Sequence, residues 1–173
     1  SSYVTGNEFV RTEYIRAPIQ IESDASARIV HSTIADNYTN ATPASIYNSL
    51  ANLQVYSSIV HNNTTAKSVQ ETNSVSHETD CLIVNNLDGI NDSTSMVADP
   101  EFIDRNNNNY HIDASLSPAV DYCHNTLAQI TGQDTDRDAR GWDDYTVTNV
   151  YGPYDAGADE TYGNDIIFAD GFE

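Results

Sequence analysis

The chain has 173 residues, enough for one domain or one elongated repeat array with a terminal cap. Its 26 acidic and 7 basic residues give a formal charge of −19, which works against nucleic acid and anionic membrane surfaces, since both demand clustered Lys and Arg. No stretch reaches the roughly 20 apolar residues that span a bilayer, and eleven Tyr with recurrent Val, Ile and Leu runs supply the buried surface that a disordered polyanion lacks.

Val4-Thr5-Gly6-Asn7 reads as the end of a β-run whose earlier strands are missing, so the chain is expected to be the C-terminal piece of a longer precursor. Residues 10–22 carry Tyr14-Ile15-Arg16-Ala17-Pro18-Ile19-Gln20-Ile21 and predict further strands of this first repeat. Two repeats then follow. Residues 27–37 align without gaps on residues 53–63, and the apolar/Asn pairs Val4/Asn7, Ile34/Asn37, Val60/Asn63 and Ile83/Asn86 recur, their asparagines 30, 26 and 23 residues apart. An irregular period in the twenties, built from short β-favouring runs, predicts a solenoid of stacked coils.

Inside each clear repeat the alternation changes phase. Ala27 and Ile29, like Leu53 and Val55, share one parity, whereas Ile34 and Val60 share the other. A strand has period two, so the slip at His31 and Ser57 predicts a corner between two strands. Asn7, Asn37, Asn63 and Asn86 are expected at the next corner, stacked as a structural ladder with each amide pairing with the next. Polar connectors of varying length separate the runs, as loops on one face of a solenoid do. No sustained helical periodicity occurs.

Cys81 lies in the last repeat and Cys123 in the segment beyond it, with no metal-ligand spacing. A bond between them would tie the terminal segment to the coils; two buried free thiols are the other reading. After about residue 95 the repeat stops. Pro100, Pro118 and the asparagines 106–109 punctuate an irregular region expected to cap the open strand edges.

Three groups of residues carry a resemblance. Val97-Ala98-Asp99-Pro100-Glu101-Phe102-Ile103-Asp104, Tyr110-His111-Ile112 and Leu116-Ser117-Pro118-Ala119-Val120-Asp121 are followed by an Asp-rich turn with Arg at 134–140 and by Asp155-Ala156-Gly157-Ala158-Asp159-Glu160. This order resembles the terminal pattern of secreted bacterial right-handed parallel β-helix proteins, pectate-lyase-like and often displayed at the cell surface with assorted anchoring tails. Residues 167–173, ending Asp170-Gly171-Phe172-Glu173, look like a short acidic-aromatic tail of secreted bacterial proteins.

Asp134, Asp136 and Asp138 alternate as carboxylates do in Ca2+ loops. An EF-hand is excluded, because its Gly and Glu places hold Ala139 and Tyr145. A looser Ca2+ loop and a turn capped by its own carboxylates both remain readings. Related β-helix lyases resemble one another in pairing Ca2+-holding carboxylates with a basic residue, and related glycosidases in carrying paired Asp; neither set is found, and Asp88-Gly89 with Asn91-Asp92 reads as a turn. His31 and His61 fall at different repeat positions, so they do not predict a shared metal site. Tyr38, Tyr47, Tyr56 and Trp142 are candidates for a sugar-binding face or for packing.

Together these readings predict an all-β protein. Residues 1–95 would form C-terminal coils of a right-handed parallel β-helix, residues 96–160 an irregular cap and residues 161–173 a tail. The expected role is that of an extracellular structural or adhesive module of a larger secreted or cell-surface protein, without catalytic residues of its own. Its expected partners are a preceding β-helix region, stacked identical copies, or a polysaccharide. The alternative is the non-catalytic end of a polysaccharide lyase or glycoside hydrolase.

Overall fold

The computed structural model describes residues 2–5, 8–9, 17–39, 44–62, 67–124, 126–127 and 132–162, without the side chains of residues 8–9 and 38–39. Among them the chain is all-β with parallel sheets, and the single helical turn is of the 3₁₀ type, at Arg105–Asn107. The strands of the first repeat are β1 (Ser2–Thr5), β2 (Glu8–Phe9), β3 (Ile19–Glu22) and β4 (Ser26–Val30). The next are β5 (Ser32–Ala35), β6 (Tyr38–Thr39), β7 (Ala44–Ser49) and β8 (Asn52–His61), followed by β9 (Lys67–Thr72), β10 (Ser76–Val84) and β11 (Met96–Val97). A separate antiparallel pair joins β12 (Phe102–Asp104) to β13 (Asn109–Ile112).

From β1 to β10 successive strands do not pair with each other; each pairs, in parallel, with a strand one repeat away, and only β10 and β11, then β12 and β13, pair as sequence neighbours among the described strands. One sheet runs β1-β5-β8-β10-β11 with β4 also on β8, a second runs β3-β7-β9, and β2 pairs with β6. The β4/β8 register sets Ala27 beside Leu53 and Ile29 beside Val55, and the β5/β8 register sets Ile34 beside Val60. That is the offset the gapless sequence alignment requires. Between β8 and β10 the offset shortens, with Val60 beside Val84.

The phase slip is a left-handed residue. His31, Ser57 and Cys81 have φ of 43°, 46° and 56° and occupy the same place in three successive repeats. Because the backbone turns there, apolar residues of opposite parity reach one interior. Ala27, Ile29, Leu53 and Val55 before the corner join Val4, Ile34, Val60 and Val84 after it in a single core. Each buried Val, Ile or Leu in such a stack contributes about 1.5–3 kcal/mol.

The edge of β10 is covered by the side chains of the segment that follows it. Asn91 Oδ1 accepts the Thr79 N–H, Thr94 Oγ1 that of Cys81 and Ser95 Oγ that of Leu82. Asp92 fixes this segment by accepting the N–H groups of Thr94 and Ser95. Asn91 and Asp92 therefore serve a turn that ends the sheet.

The region expected as an end cap packs against a face of the sheet. Residues 98–156 contribute Ile112, Ala119, Val120, Tyr122 and Ala156 to a second core against Ile59 and Ile83, which point away from the first. This outer layer covers the lateral face of the β5-β8-β10 sheet, and the Cys81–Cys123 disulfide joins the two. Gly157 (φ 106°) lies directly against this sheet. A Cβ there would sit 2.8 Å from Ile59 Cδ1 and 2.9 Å from Thr33 Oγ1. Asp36, left-handed at the end of β5, anchors the layer through a two-pronged pair with Arg105 and a bond from the Tyr110 hydroxyl.

Candidate functional site

Three stretches of the outer layer converge on one cleft: strand β13, the turn 134–138 and the loop 155–162. The cleft measures about 350 Å³ and is lined by His111, Asp136, Asp138, Asp159, Glu160 and Tyr162, among others. Alternation along β13 directs Tyr110 and Ile112 into the protein and leaves His111 half-buried on the other face.

The turn is organised by its first residue. Asp134 Oδ1 accepts the N–H groups of Asp136 and Asp138, each at 2.8 Å, and Oδ2 accepts the Glu160 N–H at 3.2 Å. Asp134 thus shapes the loop, whereas Asp136 faces the cleft and meets His111 Nε2 at 2.8 Å through Oδ2. Asp159 is buried and uses Oδ2 to accept the Ile112 N–H. Burial pushes its carboxyl up to about 6, against the downward pull of that N–H and of His111. His111, Asp136 and Asp159 each offer one ligand atom, and these atoms lie within 4.8 Å of one another.

Beneath the cleft lies a buried knot that gives the last two sequence motifs a physical meaning. Arg140 donates to the carbonyls of Gly157, Ala158 and Asp159 and to Glu160 Oε2. Glu160 Oε1 in turn accepts the N–H groups of Gly141 and Trp142. Burial and then the Asp155 charge push the Glu160 carboxyl upward, while Arg140 and the N–H donors pull it back. The Asp-rich turn and the Asp155–Glu160 motif are two halves of one lock.

That lock sets out an aromatic pair. Trp142, 47% exposed, stands with its ring centroid 5.3 Å from that of Tyr162, whose hydroxyl donates to the Ala139 carbonyl at the cleft's rim. Tyr47 and Tyr56, the other described aromatic candidates, are buried and pack within the protein; the Tyr38 side chain lies outside the described residues.

Of the expected ladder, Asn7 and Asn63 lie outside the described residues. Asn37 is buried, donates its N–H to Asn62 Oδ1 at 2.9 Å and its amide to the Val4 carbonyl; the Asn62 N–H goes to Asn85 Oδ1 at 3.3 Å. The stacked bonds run from backbone to side chain through Asn62 and Asn85. Asn86 serves its own turn, accepting the Asp88 N–H. His31 is buried against Tyr154 and near Arg140, whereas His61 gives its carbonyl to Arg105. The tail 163–173 lies outside the described residues.

His111, Asp159 and Tyr162 escaped the sequence reading. His111 sat within a segment used only for its resemblance, although the alternation Tyr110-His111-Ile112 marks it as the residue facing outward. No protein-family model, curated protein or solved structure matches the chain.

Proposed function

We propose that the chain is an extracellular structural and adhesive module, a right-handed parallel β-helix of the secreted bacterial, pectate-lyase-like kind, whose outer layer binds polysaccharide. The observation that carries this reading is the pairing of the exposed Trp142 with the half-buried Tyr162, which lines a polar cleft. Flat aromatic faces pack against sugar C–H groups, and the carboxylates beside them accept hydroxyl hydrogen bonds. Strands that return to the same sheet one repeat later support the β-helix, and parallel crossovers are right-handed almost without exception. The disulfide fits an oxidising compartment. A charge of −19 favours neutral glycans over anionic ones.

The test is native electrophoresis through gels containing neutral polysaccharides. The expected result is retardation by at least one of them, relieved by Trp142→Ala. Equal mobility in every gel would overturn the assignment.

A second reading has its own observation. Each of β1, β3 and β4 has a strand neighbour on one side only among the described strands, which offers an edge to a stacked copy or to a preceding coil. Sedimentation at rising concentration distinguishes them: growth into longer species favours stacked copies, and a constant monomer removes them. Release of sugar fragments by the chain itself would instead place it among polysaccharide-cleaving enzymes.

A further inference from the structure

His111 has a fixed tautomer, and this is what makes its cluster more than a group of acids. Asn109 Oδ1 accepts the backbone N–H of His111 at 3.2 Å, so that atom is the amide oxygen rather than the nitrogen. The same oxygen lies 2.6 Å from His111 Nδ1, which must therefore carry its proton and donate it. In the neutral ring Nε2 is then a lone pair, and it faces Asp136 Oδ2 at 2.8 Å. Two acceptors at that distance repel, so the contact takes either a second proton on the ring, which makes it an ion pair, or a bound cation.

The rest of the cluster shares that need. Asp159 is buried within the same 4.8 Å group of ligand atoms, with one oxygen already spent on the Ile112 N–H. Arg137, next to Asp136 in the chain, is exposed, and Arg140 turns the other way, toward the carbonyls of residues 157–159. An imidazole nitrogen held by a hydrogen bond on its far nitrogen is the usual arrangement of a histidine metal ligand. One imidazole and two carboxylates, opening onto a cleft with room for water, match the donor set of an open divalent site.

We propose that His111 Nε2, Asp136 and Asp159 form a binding site for a divalent first-row transition ion of the Zn2+ type. Asn109 acts as the positioning residue for the imidazole. The nitrogen ligand is what separates this site from the all-oxygen sites that Ca2+ selects. The proposal is independent of the polysaccharide reading, since it concerns the ion alone.

The test is calorimetric titration of the full chain with ZnCl2 and, separately, with CaCl2. One Zn2+ per chain is expected, with Ca2+ much weaker. Asp136→Asn, an exposed change that leaves the fold alone, and His111→Gln should each remove the saturable site. Asn109→Ala should weaken it roughly 10–100-fold without abolishing it. His77→Gln, at the His77–Glu71 contact, should change nothing. Zn2+ binding that survives His111→Gln, that disappears with His77→Gln, or that is matched by Ca2+ would overturn the site, as would the absence of any saturable Zn2+ binding.

Discussion

Arg140 Nη1 lies 3.2 Å from Glu160 Oε2, and neither side chain is exposed. The pair closes the ring of backbone bonds that fixes both the acidic turn and the Trp142 loop. Removing one partner strands the other as a buried charge, which costs about 3–5 kcal/mol. Arg140→Met should therefore lower the urea midpoint sharply, whereas Glu160→Gln, which keeps an acceptor for the Gly141 and Trp142 N–H groups, should lower it less. Equal losses would show that the cation is not what the knot depends on.

The outer layer meets the sheet without room to spare at Gly157. A side chain there would have to adopt φ near 106° and displace Ile59 and Thr33. Gly157→Ala is expected to destabilise the protein by on the order of 2 kcal/mol in urea unfolding. An unchanged midpoint would mean that the layer is not seated on this face.

Reducing the Cys81–Cys123 bond frees a segment spanning 42 positions in sequence, and the loop-entropy relation gives about 4 kcal/mol for its closure. Unfolding midpoints measured with and without reductant should differ accordingly, and Cys81→Ser with Cys123→Ser should reproduce the reduced value.

Acid should stabilise this protein rather than loosen it. Burial pushes the Asp121 carboxyl up to about 6 and that of Asp155 up to about 7. The folded chain then holds protons that the unfolded chain has already released. That stabilisation is complete below the ordinary carboxylate range and is lost as pH rises through 6 and then 7. Urea midpoints recorded from pH 4.5 to 8 should fall across this window, and Asp121→Asn should flatten the curve. A midpoint that rises with pH would contradict the burial of these groups in protonated form.

Much of the parallel strand pairing was legible in the chain. The alignment of residues 27–37 with 53–63 supplies the register between the clear repeats, and the parity slip locates the corner at His31 and Ser57. The β8/β10 offset sets Val60 beside Val84, not Ile83, a register that the recurring apolar/Asn pairs do not reveal. The place of the outer layer went unread although its signal was present. Ile59-Val60 and Leu82-Ile83-Val84 are apolar at both parities, as strands buried on both faces are. The cleft could not be read, because His111, Asp136 and Asp159 meet only through the folding of a strand, a turn and a loop onto the sheet. Asp134–Asp138 alternation located the turn, but spacing alone cannot tell a carboxylate that holds its own backbone, as Asp134 does, from one that faces solvent.

Trp142 is the sole tryptophan of the chain, so its emission reports on the proposed binding face without a label. The most direct measurement is therefore its fluorescence during titration with the neutral polysaccharide that retards the protein in gels. A saturable blue shift, as water leaves the exposed indole, is the predicted result. Emission that stays constant through saturation would contradict polysaccharide binding at the Trp142–Tyr162 pair.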